Sequence, residues 1–177
     1  MGDASIPAES ASERAWACLE QVPDPEIPVI SLVDLGVIRD IVWKDQALEV
    51  TVTPTYTGCP ATAVIDLQIE TALRDAGFEK VHLVRQLAPA WTTEWISRKG
   101  RQALKDYGIV PPEEGTAACA GMLAQAPRVG TREPVAVDCP HCGSADTSCL
   151  SPAGSTPCKS NYRCNACLEP FEYFKAI

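Results

Sequence analysis

In "PATAVIDLQIETALRDAG", residues 60–77, the apolar positions Ile65, Ile69, Ala72, Leu73 and Ala76 return at helical spacing, while Glu70 and Arg74 pair on the opposite face. That pattern predicts an amphipathic helix with one face on a core. Just before it the period changes to two. In "VIRDIVWKDQALEVTVTP", Leu48, Val50 and Val52 alternate with polar neighbours, which predicts two strands around a tight turn at Lys44–Gln46. "KVHLVRQL" predicts a third strand with Val81, Leu83 and Leu87 on one side and His82 facing solvent on the other. Upstream, "SERAWACLEQV" reads as a first helix, stopped by the proline-rich "PDPEIPVI". Ser31 then opens a helical turn, "SLVDLG", which Gly36 can close in the left-handed region. "TTEWISRKGRQALKDYG" reads as a last helix, opened by a threonine cap and ended near Gly108. Together these elements make an α+β fold, a two-layer α-β-β-α-β domain over residues 10–110.

From "IVPPEEGTAACAGMLAQAPRVGTREP" onward the periodicity is lost and Pro, Gly and Ala take over. Residues 111–134 read as a linker, with Cys119 incidental within it. A small module follows over 135–177. It carries "CPHCG" and "YRCNAC", two Cys-x-x-Cys pairs separated by 21 residues. Each pair can wrap one side of a tetrahedral ion, so Cys139, Cys142, Cys164 and Cys167 are the expected ligands of one structural zinc. Iron is the rival occupant, since the same pattern serves rubredoxin-like sites and iron–sulfur clusters. Cys149 and Cys158 complicate the count: each either replaces a ligand or packs, Cys149 in a hairpin and Cys158 near the metal.

Composition narrows the function. A net charge of −8 argues against nucleic acid as the main partner, because phosphate binding needs a concentrated basic surface. No apolar run reaches membrane-spanning length, and "MGDASIPAESASERAW" has no signal pattern, so no membrane association and a cytoplasmic location are expected. Nine cysteines in that compartment point to metal or reactive-thiol chemistry rather than disulfides. The stripe Arg98, Arg101 and Lys105 either docks an acidic partner or is a solvated face. No nucleophile–base set, phosphate-binding glycine loop or helical His pair occurs, so the chain is not expected to be an enzyme by itself.

Cys59, in "TPTYTGCPATAV", stands apart from the C-terminal cysteines. Followed by Pro60, it is expected at or near the N-cap of the 60–77 helix, where unpaired amides and the helix dipole favour thiolate. A dipole effect of about 0.3–1 kcal/mol lowers a pKa by less than one unit, which leaves mostly thiol at neutral pH. Two readings stand: a transient metal or cluster ligand, or a small residue packed under a turn.

"PDPEIPVISLVDLGVIRDI" followed by "TPTYTGCPA" resembles the iron–sulfur and metal-centre maturation factors. "PAWTTEWISRKGRQALKDYGIVPP" and the terminal "CPHCGS…GSTPCK…YRCNAC" are similar to the PaaD family, accessory subunits of phenylacetyl-CoA epoxidase. The resemblance implies an iron–sulfur-assembly-like domain with a zinc-ribbon-like tail. It also implies an auxiliary role in phenylacetate breakdown, either maturing or repairing iron or iron–sulfur centres or acting as a structural adaptor. The implied partners are the epoxidase's oxygenase subunits, its iron–sulfur flavoprotein reductase, or both. Cys59 matches the family's reactive cysteine, and Asp24 and Glu26 match its "DPE"; Cys158 matches the cysteine of its glycine-serine-threonine segment. These four are the implied transient ligands of iron or a cluster, although Asp24 and Glu26, set among prolines, read equally as turn acids. The chain departs from the family pattern at Ala153, where Phe is usual, and in its closing "FKAI", where many members carry a cysteine.

Overall fold

The computed structural model describes residues 8–112 and 137–175; Cys119 and most of the 111–134 segment lie outside them. The chain divides into two compact units, Met1–Trp91 and Thr92–Ile177. The division falls before residue 110, where the periodicity placed a boundary.

The first unit holds α1 (Ala8–Leu19), β1 (Ile38–Lys44), β2 (Ala47–Val52), α2 (Thr62–Asp75) and β3 (Val81–Arg85). Its sheet has the order β1-β2-β3, with β1 antiparallel and β3 parallel to β2. The β1–β2 turn has Asp45 and Gln46 at φ 51° and 62°, the doubly left-handed geometry that matches strand twist in a two-residue hairpin. Leu48, Val50 and Val52 are buried, as are Ile65, Ile69 and Leu73 of α2 and Ala11, Ala15 and Leu19 of α1. Burying each large apolar side chain contributes about 1.5–3 kcal/mol. Leu87 departs from expectation: β3 ends at Arg85, so Leu87 lies beyond the strand and is 52 % exposed.

Between α1 and β1 the chain makes a folded loop. Ser31 Oγ accepts from the Asp34 amide at 3.0 Å, and Gly36, at φ 76°, closes the turn in the left-handed region. Trp91 is buried and donates its Nε1 hydrogen to Leu35 O at 3.1 Å, which fastens the end of this unit to the same loop.

The second unit holds α3 (Arg98–Asp106), β4 (Ile109–Val110), β5 (Thr147–Ser151), β6 (Lys159–Cys164) and β7 (Pro170–Phe174), in one sheet of order β4-β7-β6-β5. The helix expected over 92–108 is divided. A 3-10 turn at Thr93–Trp95, capped by Thr92, is followed by extended Ile96 and Ser97, and Ser97 Oγ caps α3 through the Gly100 amide at 2.9 Å. Serine competes for its own helix start and so breaks the run. Gly108, at φ 91°, ends α3 and turns the chain into β4, which pairs parallel with β7.

Arg101 is not part of a free basic stripe. Its guanidinium donates to Thr93 O and Pro112 O, both at 2.6 Å.

Val137, Tyr162, Phe171 and Tyr173 pack with Cys139 and Cys164 into the ribbon core. Tyr162 stacks on Phe171 at 5.7 Å. Near the other end of β6, Lys159 Nζ is buried and pairs with Glu172 at 2.7 Å, and Ser155 donates to the same carboxylate at 3.1 Å. Gly154 is needed there, because a Cβ would sit 3.1 Å from both Asn161 Oδ1 and Glu172 Oε1.

Candidate functional site

Cys59 lies in the turn between β2 and α2. The helix begins at Thr62 with Ala61 at the N-cap, so Cys59 precedes the cap rather than occupying it. Its carbonyl accepts from Thr62 Oγ1 at 2.7 Å, and its amide donates to Tyr56 O at 3.3 Å. The Tyr56 ring lies against Gly58, where an added Cβ would touch the ring at 3.7 Å.

The loop that carries Asp24 and Glu26 brings both carboxylates within electrostatic reach of this thiol. Burial, the largest influence, raises the Cys59 pKa; the Ala61 amide and the Thr62 hydroxyl pull it down, and the Glu26 and then the Asp24 carboxylates push it up. The outcome is upward, against the thiolate that a bare helix start favours. Cys59 is therefore a protonated, half-buried thiol at neutral pH. Its alkylation by iodoacetamide should lag that of an unfolded cysteine at pH 8 and keep accelerating above the ordinary thiol range; a rate that levels off below pH 8 would contradict this.

Asp24 and Glu26 divide their work. Asp24 is 6 % exposed, and its Oδ1 accepts from the Glu26 and Ile27 amides, both at 2.9 Å. It is the anchor of the loop. Glu26 is half-buried and exerts the larger charge effect of the two on Cys59. Asp24, Glu26 and Cys59 do not bring their ligand atoms together as tightly as a preformed metal site: among the described residues, only the four C-terminal cysteines do. Ala61 and Thr62 were missed in the sequence; the polar Thr62 directly after "CPA" is the one local signal that could have flagged them.

In the second unit the Sγ atoms of Cys139, Cys142, Cys164 and Cys167 all lie within 4.8 Å of one another. Two contacts cross between the pairs, Cys139–Cys167 at 3.7 Å and Cys142–Cys164 at 3.6 Å. A metal–sulfur bond of about 2.3 Å with tetrahedral angles places sulfurs roughly 3.8 Å apart, so the set fits zinc.

The two knuckles share one backbone pattern. Cys139 N donates to Ser144 O and Gly143 N to Cys139 O; equivalently, Cys164 N donates to Glu169 O and Leu168 N to Cys164 O. The residue after each second cysteine, Gly143 or Leu168, is left-handed at φ 73° or 67°. The Cys167 amide, with burial opposing and the Ala166 amide assisting, brings Cys164 down to about 6. The Glu169 amide favours the Cys167 thiolate, but burial and the crowding of Cys164, Cys142 and Cys139 push it up to about 12. Sulfurs this close cannot all ionise by themselves, and a divalent cation removes the conflict.

Cys158 is not near this set. It precedes β6 while Cys164 ends it, so at about 3.3 Å per residue the two are on the order of 20 Å apart. Cys158 is buried beside Thr156, with Sγ 2.9 Å from Oγ1. Cys149 pairs across the hairpin with Tyr162 and packs against the ribbon core.

Fold and sites together define an iron–sulfur-assembly-type α+β domain joined to a four-cysteine ribbon. Residues 12–83 match the iron–sulfur cluster assembly protein family, and residues 124–175 match the PaaD zinc beta ribbon domain. The chain belongs to the PaaD family: it is 44 % identical, over 92 % of its length and 91 % of the relative's, to an Escherichia coli (strain K12) protein that carries the name of a "Putative 1,2-phenylacetyl-CoA epoxidase" subunit. It is also 36 % identical to the Bacillus subtilis (strain 168) Fe-S protein maturation auxiliary factor YitW, over 54 % of this chain and 95 % of that one. A crystal structure of a DUF59 domain from Bacillus anthracis superposes with a TM-score of 0.51 at 27 % identity, covering 55 % of this chain and 93 % of that one. Among the described residues no helix is long and apolar enough to cross a membrane.

Proposed function

We propose that this chain is a non-catalytic, cytoplasmic accessory subunit of a phenylacetyl-CoA epoxidase system. It matures or repairs the iron or iron–sulfur centres of the oxygenase subunits or of their iron–sulfur flavoprotein reductase. The likeness to both an epoxidase subunit and an iron–sulfur maturation factor supports this reading. The observation that carries it is the half-buried Cys59 thiol faced by the carboxylate of Glu26. A thiol and a carboxylate on facing loops suit a site that gains an iron cation and gives it up again. The cation supplies the charge that turns Cys59 to thiolate, and the upward-shifted pKa favours release once the iron has moved on. Asp24 shapes the loop that presents Glu26.

In the same reading Cys139, Cys142, Cys164 and Cys167 hold one structural zinc. Four thiolates close its coordination, so the ion supplies folding and leaves no position for substrate. The ribbon then offers the docking surface for the epoxidase components.

Cys59→Ser tests the proposal. The variant should fold with little change in thermal midpoint and keep its zinc. The iron content and activity of the epoxidase components matured with it should fall several-fold. Full iron content with the variant would favour a purely structural adaptor, a role that agrees with the protonated state of Cys59 and predicts stable co-purification with the oxygenase.

A further inference from the structure

The four ribbon cysteines are not equivalent. Cys139 is 2 % exposed and Cys164 fully buried, whereas Cys142 is exposed and Cys167 half-buried. The outer two are the second members of their pairs, placed at the knuckle tips by the left-handed turns at Gly143 and Leu168. Of these, Cys142 is the open corner. Its sulfur also lies 3.6 Å from Cys164 Sγ on the opposite knuckle, which is van der Waals contact. Cys142 is thus the most solvent-open of the four residues, and its sulfur already touches that of a fully buried one.

We propose that Cys142 is the oxidation site of this centre, attacked by a small peroxide and resolved by Cys164 as a disulfide across the two knuckles. The inference rests on the reading of these four cysteines as the zinc site. In the first step the Cys142 sulfur attacks one peroxide oxygen, the O–O bond breaks, hydroxide leaves and the sulfur becomes a sulfenic acid. In the second, the Cys164 sulfur attacks that of Cys142, the S–S bond forms, the S–O bond breaks and a second hydroxide leaves. Two thiolates have then lost two electrons, and one peroxide has become two hydroxides, which take protons from water. An ion held by four thiolates loses two of them and is released.

The test uses the full-length zinc-loaded protein, with metal measured before and during titration with hydrogen peroxide. A chromophoric chelator reads zinc release, and mass spectrometry of unreduced peptides maps the linkage. The expected result is release in step with a Cys142–Cys164 link. In the unoxidised protein, limiting iodoacetamide should label Cys142 ahead of the other three. Links within a pair (Cys139–Cys142 or Cys164–Cys167), a link to Cys149, or first labelling at another of the four would overturn the proposal while leaving the zinc reading intact. Protein that holds no zinc at the outset would overturn both.

Discussion

Serine in place of Cys164 is expected to unfold the ribbon, and removal of the metal by a strong chelator should do the same to the unaltered chain. Cys164 is fully buried at the end of β6, between the Tyr162 ring and the opposite knuckle, and its sulfur accepts from the Cys167 amide at 3.4 Å. A metal-ligand thiolate cannot be replaced there by a hydroxyl without losing a ligand. Binding of structural zinc in small modules amounts to about 10–16 kcal/mol of apparent folding energy, far more than any single contact supplies. The ribbon core is small, with four aromatic or aliphatic side chains around two of the ligand cysteines, and has little to offset such a loss. Amide exchange should show β5, β6 and β7 losing protection on chelation, while β1 and β2, which have a core of their own, keep theirs. Protection that survives in β6 after the metal is removed would sink this account.

Asp24→Ala should destabilise the first unit by about 2–4 kcal/mol, since two loop amides lose their charged acceptor and the Ile27 amide is buried. Asp24→Asn separates shape from charge. The amide oxygen can still accept from both donors, so most stability should remain. The negative charge is removed, however, and the Cys59 thiol should titrate lower and alkylate faster at a given pH. Chemical denaturation of the two variants, with alkylation rates across pH, tests both halves. Equal loss of stability in the alanine and asparagine variants would show that the carboxylate's charge, rather than its hydrogen bonds, holds the loop.

The elements that the sequence announced most clearly are those whose signal is local and repeated. Ile65, Ile69 and Leu73 mark a helix face four residues at a time, and the Lys44–Gln46 turn is followed by the alternation of Leu48, Val50 and Val52. The paired cysteines encode the ribbon site in spacing alone. What could not be read depends on partners distant in sequence or on competition within a few residues. The two-residue strand Ile109–Val110 has no period of its own and exists because Glu172 and Tyr173 lie beside it. Ser97 within an otherwise helical run gave no hint that it would cap a new helix.

For Cys59 the helix start was legible, but the opposing effect was not. Burial and the charge of Glu26 depend on how a loop more than thirty residues earlier folds back. Asp24 illustrates the same limit: an acid between two prolines reads as a turn residue, and only the structure shows that it is the acceptor on which the loop is built.

The pairing of β4 with β7 changes what the stretch between Pro112 and Val137 connects. Both of its ends are held within Thr92–Ile177, so it joins two points of one unit rather than one unit to the other. The covalent passage between the two units is the step from Trp91 to Thr92. For a connection between two held points the closure entropy grows only logarithmically, by about 0.6 kcal/mol for each doubling of length. Evolution can therefore lengthen, shorten or rewrite it at small energetic cost without altering how the ribbon's fourth strand is supplied.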